Sequence, residues 1–195
     1  MAMRVGVIVA ALCGGLGCGP ADVACPGETV ADAARAREVL AAAGRTRVGR
    51  TVGLDGPLCF GGSERGALLP GGEVVIADRL VIAEAAARAI HLNMHRQDGL
   101  HRFPRAGVAC ERQLADVTDA EARAIVAELE ACAELECAEA PYSFAGEVLA
   151  LAPADRGEAV RTRLRAEPTS DGLAAMMQGY RRRCEAALRG APTER

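Results

Sequence analysis

All three histidines of the 195-residue chain fall in one window, His91-Leu-Asn-Met-His95-Arg-Gln-Asp-Gly-Leu-His101. His91 and His95 are four positions apart, which on a helix puts both imidazoles on one face about one turn apart. Two ring nitrogens so placed can reach one zinc ion. The competing reading is a pair of ordinary helix-face histidines bonded to carboxylates of neighbouring helices. Other chemistry has no local signature. The chain has no Gly-x-Ser-x-Gly nucleophile turn and no glycine-rich phosphate loop, and Gly61-Gly62-Ser63 reads as a turn.

The histidine pair needs a helix to carry it, and the spacing predicts one over 81–96. Ala83, Ala86, Ala87, Ile90 and Met94 mark a face, and Asp98-Gly99 ends it. A second long helix is predicted over 118–137, with Ile125, Val126, Leu129 and Cys132 as its apolar stripe. Thr118 is expected to cap it, with Glu121 completing a capping box. Shorter helices follow over 144–151 and 157–166. A last one runs over 170–188 through Met176, Tyr180 and Cys184 and closes at Gly190. Upstream, Thr29 opens a helix with Asp32 three residues on, ending near Gly44. Residues 46–54 are β-prone, and 67–69 and 73–77 flank Pro70-Gly71-Gly72 as a hairpin. The expected fold class is therefore α+β, a small antiparallel sheet (about 46–77) followed by a helical bundle, in a single domain over 29–190.

The first residues speak to compartment. Arg4 precedes an apolar run over 5–12, and a glycine-rich stretch leads to Cys18, the layout of a secretory signal over 1–17. Leu16-Gly17-Cys18 has the form of a bacterial lipoprotein box, so Cys18 is the expected lipid anchor and 18–28 a tether. Cys13 would leave with the leader. Six cysteines then remain, Cys25, Cys59, Cys110, Cys132, Cys137 and Cys184, enough for up to three disulfides in an oxidising compartment. Their pairing is open among 15 possibilities. Cys132 and Cys137 are five apart, so on an unbroken helix they point in different directions and cannot bond. With no Cys-x-x-Cys, a thiolate zinc site or thioredoxin-type centre is a poor fit.

The histidine region resembles the zincin metallopeptidases, marked by His-Glu-x-x-His on a helix, and in particular their minimal ImmA/IrrE-type architecture. There a short β-segment leads into the zinc helix and a following helix supplies an acidic ligand beside a small residue. Here Glu73-Val-Val-Ile-Ala77 precedes the helix, Ala85-Ala-Ala-Arg-Ala-Ile-His91 leads into the histidine pair, and Asp119-Ala-Glu121-Ala122 opens the next helix. The resemblance spans about 66–130 and implies His91, His95 and Glu121 as metal ligands, with Asp119 an alternative to Glu121. His101 is a rival third ligand by the metzincin spacing, although that family turns at a Gly where this chain has Asp98. Met176-Met177 as a Met-turn fits less well than core packing. One position departs: Leu92 follows His91, where working enzymes of this type carry the Glu that moves the proton of zinc-bound water. Leu cannot do this. The resemblance thus implies a degenerate zinc-peptidase-like domain, a binding or structural module. The alternative is an active metal-dependent hydrolase whose base is Asp98, Glu84 or Glu111.

Composition narrows the remaining classes. Half the residues are hydrophobic, too many for a disordered chain. Twenty-three basic residues against 26 acidic ones, with five aromatics, argue against a nucleic-acid partner. After residue 20 no apolar run is long enough to span a bilayer. Arg181-Arg182-Arg183 reads as a solvated helix end, with a contact to anionic headgroups as the alternative. Phe103, Tyr142 and Phe144 are expected core anchors. The expected partner is a membrane, reached through the lipid, in an extracytoplasmic location, with plain secretion as the alternative.

Overall fold

The computed structural model describes residues 25–54, 56–62, 65–166 and 173–190. The expected leader over 1–17, the Cys18 anchor and the tether as far as residue 24 lie outside them. The chain runs α1 (Ala33–Arg45), α2 (Arg47–Val52), β1 (Leu58–Phe60), β2 (Gly66–Leu68), β3 (Val74–Ile76), α3 (Ile82–Gln97), α4 (Cys110–Glu134), α5 (Ala145–Leu149), α6 (Pro153–Arg165) and α7 (Leu173–Leu188). The class is α+β, with the small sheet ahead of the main helical bundle.

Asp32 caps α1 by accepting from the Arg35 amide at 2.9 Å. Thr29 lies outside the helix and donates its hydroxyl to the Pro26 carbonyl. Residues 47–52, expected as strand, are helical. The buried Thr46 caps α2 at the Gly49 amide, and Val48 and Val52 reach the core one turn apart. A Cβ on Gly49 would lie 2.0 Å from the Ala43 carbonyl oxygen, so only glycine lets α2 start against the end of α1. Packing overrides the β-preference of Val and Thr here.

The expected β2–β3 hairpin is present, with Ala67 opposite Val75. The sheet is mixed rather than wholly antiparallel, and it begins at 58 rather than 46. The chain reverses twice between β1 and β3, so these two run parallel, Cys59 beside Val75, and the order is β1-β3-β2. Both are fully buried strands, whereas β2 forms a half-exposed edge.

Helix α3 packs against α1, α4 and the sheet, which explains why its alanines are buried on several sides. Gly99, at φ 75°, follows Asp98 and stops it as the sequence suggests.

Helix α4 starts two turns before the expected Thr118 cap. Gln113, Leu114 and Val117 extend its buried stripe, and the Gln113 amide ties the preceding loop through Arg105 and Val108. Thr118 is interior, its hydroxyl donating to the Leu114 carbonyl at 2.8 Å. Glu121 is consequently not a first-turn capping acid. The helix ends at Glu134 rather than near Cys137, and Glu136 turns the chain at φ 53°. That break permits a Cys132–Cys137 disulfide, which an unbroken helix forbids. Two longer bridges join Cys25 to Cys59 and Cys110 to Cys184. Around the far side of α4, Ile125, Leu129, Phe144, Val148, Val160 and Leu164 form a second apolar cluster. Met176 and Met177 pack at its edge from within α7, not from a turn.

Candidate metal centre

The i, i+4 spacing on α3 aims His91 and His95 at the middle of α4, where Glu121 meets them. All three are at least 96% buried. His91 Nε2 lies 3.6 Å, and His95 Nε2 3.1 Å, from Glu121 Oε2. The two imidazoles meet edge to face, their centroids 4.5 Å apart. One ligand atom from each residue falls within 4.8 Å of the others. A tetrahedral zinc with bonds of about 2.0–2.1 Å has ligand–ligand edges of about 3.3 Å. The two measured nitrogen–oxygen edges straddle that value.

Polar satisfaction points the same way. The 3.1 Å contact between His95 and Glu121 does not align as a hydrogen bond. His95 Nε2 and Glu121 Oε2 are thus buried without a hydrogen-bond partner among the described residues, as are the Nδ1 atoms of both histidines. Two such atoms facing each other are costly unless something bridges them. A cation taken between them satisfies both, so the donor set of two imidazoles and one carboxylate fits zinc.

Behind the ligands stands a group that the sequence reading missed. Glu128, fully buried and two turns along α4 from Glu121, puts Oε2 2.8 Å from His91 Nδ1. It also pairs with Arg65 at 2.8 Å and Arg88 at 3.3 Å and accepts from the Tyr142 hydroxyl at 3.0 Å. A carboxylate on the far nitrogen of a ligating histidine fixes the ring's orientation. On the other side, the Tyr180 hydroxyl on α7 donates to Glu121 Oε1 at 2.8 Å, leaving Oε2 for the histidines. Glu121 and Glu128 are seven apart, a spacing that marks one helix face and is the only sequence signal for Glu128. Nothing local signals Tyr180 or Arg65, which arrive through the tertiary fold.

The charges are mutually supporting. Burial opposes ionisation of Glu121, but His95 and His91 outweigh it and hold the carboxyl well below its usual range. Burial likewise opposes Glu128, and Arg88 and His91 overcome it. Burial, then the neighbouring His91, pushes His95 down, which favours the neutral imidazole a metal needs. Burial and the adjacent Glu121 push Tyr180 up, keeping it a hydrogen-bond donor.

The other sequence candidates lie elsewhere. His101 sits in a 3-10 turn, Leu100–Arg102, accepting from Arg102 Nε at 3.1 Å, and is not part of the cluster. Asp119 is exposed and pairs with Arg161. The cluster opens on a cavity of about 180 Å³ between β2, α3 and α7. Leu92 lies on its wall, buried beneath Gly66, where a Cβ would come within 3.2 Å of the Leu92 side chain. Asp98 pairs with Arg123 outside this cavity; neither Glu84, in the first turn of α3, nor the exposed Glu111 lines it. The geometry therefore brings His91, His95 and Glu121 together and supplies none of the three suggested bases. Compared with protein-family models, curated proteins and solved structures, the chain matches none, and what speaks for the centre is its own geometry.

Proposed function

We propose that the chain is a zinc-binding protein of the cell envelope whose peptidase-like site binds without cleaving. The observation that carries this is the convergence of His91, His95 and Glu121 around two unsatisfied buried atoms, with Leu92 at the position of the usual catalytic Glu. His91, His95 and Glu121 hold the ion, Glu128 orients His91, and Tyr180 orients Glu121. A bound zinc supplies a Lewis-acid centre. Among the described residues no carboxylate other than ligand Glu121 lines the cavity to move a proton, so a ligand is retained rather than hydrolysed. The degenerate zincin-like character implied by the sequence belongs to this proposal.

Three disulfides fit an oxidising, extracytoplasmic compartment. Among the described residues no helix is long and apolar enough to cross a membrane. Attachment through a lipid on Cys18 accounts for an envelope location, and Cys18→Ser should release the protein from the membrane fraction. The deciding experiment for the centre is metal analysis of the purified chain at neutral pH. One zinc per chain, lost on replacing His91 and His95 by Ala, is the expected result. No zinc, or zinc indifferent to both substitutions, overturns the proposal.

A further inference from the structure

Charge and shape say what kind of ligand the cavity takes. Among the described residues, the charged side chains in and directly behind it are Arg65, Arg88 and Arg183 against Glu121 and Glu128. The arginines already outnumber the carboxylates, and a divalent ion would add two further positive charges. Glu128 is committed to Arg65, Arg88 and His91. Glu121 accepts from Tyr180 at Oε1 and turns Oε2 to the histidines, where the proposed ion would sit. Arg183, by contrast, has no carboxylate partner among the described residues. Its guanidinium lies over the Tyr180 ring at 4.6 Å and the Phe103 ring at 5.6 Å. Aromatic faces steady the cation without neutralising it. It therefore stands at the exposed edge of the cavity as a cation with no carboxylate partner among the described residues. Leu92, Leu100 and Met176 give the same cavity apolar wall.

From this we infer that the centre binds a carboxylate, one oxygen on the metal and the charge shared with Arg183, with the apolar remainder of the ligand against Leu92, Leu100 and Met176. The inference rests on the metal-binding proposal and gives it a ligand class. Two sources share this chemistry, the C-terminus of a peptide and a free small carboxylic acid.

Cobalt(II) in place of zinc provides a visible absorption band that reports the ligands of the ion without any activity assay. The loaded protein is titrated with sodium acetate, with N-acetyl-dialanine and with the amide of that dipeptide. The carboxylates should move the band and the amide should not, and Arg183→Gln should weaken carboxylate binding about tenfold, the scale of one charge-assisted hydrogen bond. The titrations are made on cobalt-saturated protein, so a change in cobalt affinity, through the contact of Arg183 with Tyr180, does not enter the carboxylate effect. Tighter binding of the dipeptide acid than of acetate identifies a chain end, and equal binding identifies a small acid; either supports the inference. A band indifferent to both carboxylates, or moved equally in Arg183→Gln, overturns it while leaving the metal site standing. Inorganic phosphate binding more tightly than both carboxylates also overturns it. Failure to bind cobalt, or binding that survives loss of both histidines, defeats the metal proposal and this inference with it.

Discussion

Glu128 approaches His91 from the side opposite Glu121: its Oε2 lies 2.8 Å from Nδ1, so that Nε2 is the nitrogen turned toward Glu121 Oε2. One imidazole is thereby held between two carboxylates of the same helix, one face of α4 serving as both ligand and backing. Glu128→Gln keeps the shape and removes the charge. It should lower zinc affinity by about 10–100-fold, the usual scale for such a supporting group. It should also destabilise the metal-free fold, because the half-buried Arg88 loses its counter-charge. Competition with a chromophoric chelator measures the first effect and urea unfolding the second. Unchanged affinity would mean that His91 needs no orienting.

Leu92→Glu restores the residue type whose absence defines the site. The zinc-loaded variant should acquire peptidase activity that the parent lacks, detectable with a fluorogenic peptide mixture. Both proteins should bind zinc. A variant that binds zinc, folds and still cleaves nothing counts against kinship with the zincins.

Acid should unfold the metal-free protein in a particular order. His95 is pushed down by burial, so the unfolded chain takes up its proton first as pH falls below about 6.5. Glu121 and Glu128 are held low, so below about 4.5 the unfolded chain again binds more protons than the native one. Both steps favour unfolding at lower pH. Urea midpoints should therefore fall between pH 7 and 5 and again below 4.5. In His95→Ala the first decline should shrink. A midpoint that is flat from pH 7 to 4 contradicts the charge assignment.

The disulfides should differ in worth according to the chain they enclose. Cys110–Cys184 closes 74 residues and Cys132–Cys137 only five. On chain entropy alone the first contributes about 4 kcal/mol and the second about 2 kcal/mol. Double Ser replacements, compared by urea unfolding, test that order. The Cys110/Cys184 pair should also weaken zinc binding, because Cys184 lies one turn along α7 from Tyr180, which holds Glu121. Removing Cys132–Cys137 should leave zinc affinity alone.

The sequence makes the front of the centre legible and conceals its back. His91 and His95 follow from helical spacing, the β2–β3 hairpin from its glycines, and the end of α3 from Asp98-Gly99. Glu121 is found as a ligand candidate, yet the start of its helix is misplaced, because Thr118 followed by Glu121 has the form of a capping box. What sets the true start is Gln113 folding onto the loop before it, a tertiary arrangement with no compact motif. Arg65 and Tyr142 meet Glu128 across 63 and 14 residues, so no local window contains that network. The stretch over 47–52 misleads for the opposite reason. Its β-branched residues suit a strand, but a buried cap and the core contacts of Val48 and Val52 favour a helix. Cys132–Cys137 depends on the turn at Glu136, whose left-handed backbone no glycine announces.

The bridge from Cys110 to Cys184 ties the last helix to the start of α4, and that helix brings Tyr180 and Arg183 to the cavity. This is a matter of timing as well as strength. The final wall of the site comes from the end of the chain and is secured by a bond that reducing surroundings do not allow to persist. A chain whose thiols stay reduced would keep His91, His95 and Glu121 on α3 and α4 but leave Tyr180 untethered from Glu121. One whose cysteines have paired would be complete. Oxidation would then be the step that completes the proposed metal centre by fixing α7, and with it Tyr180, against Glu121.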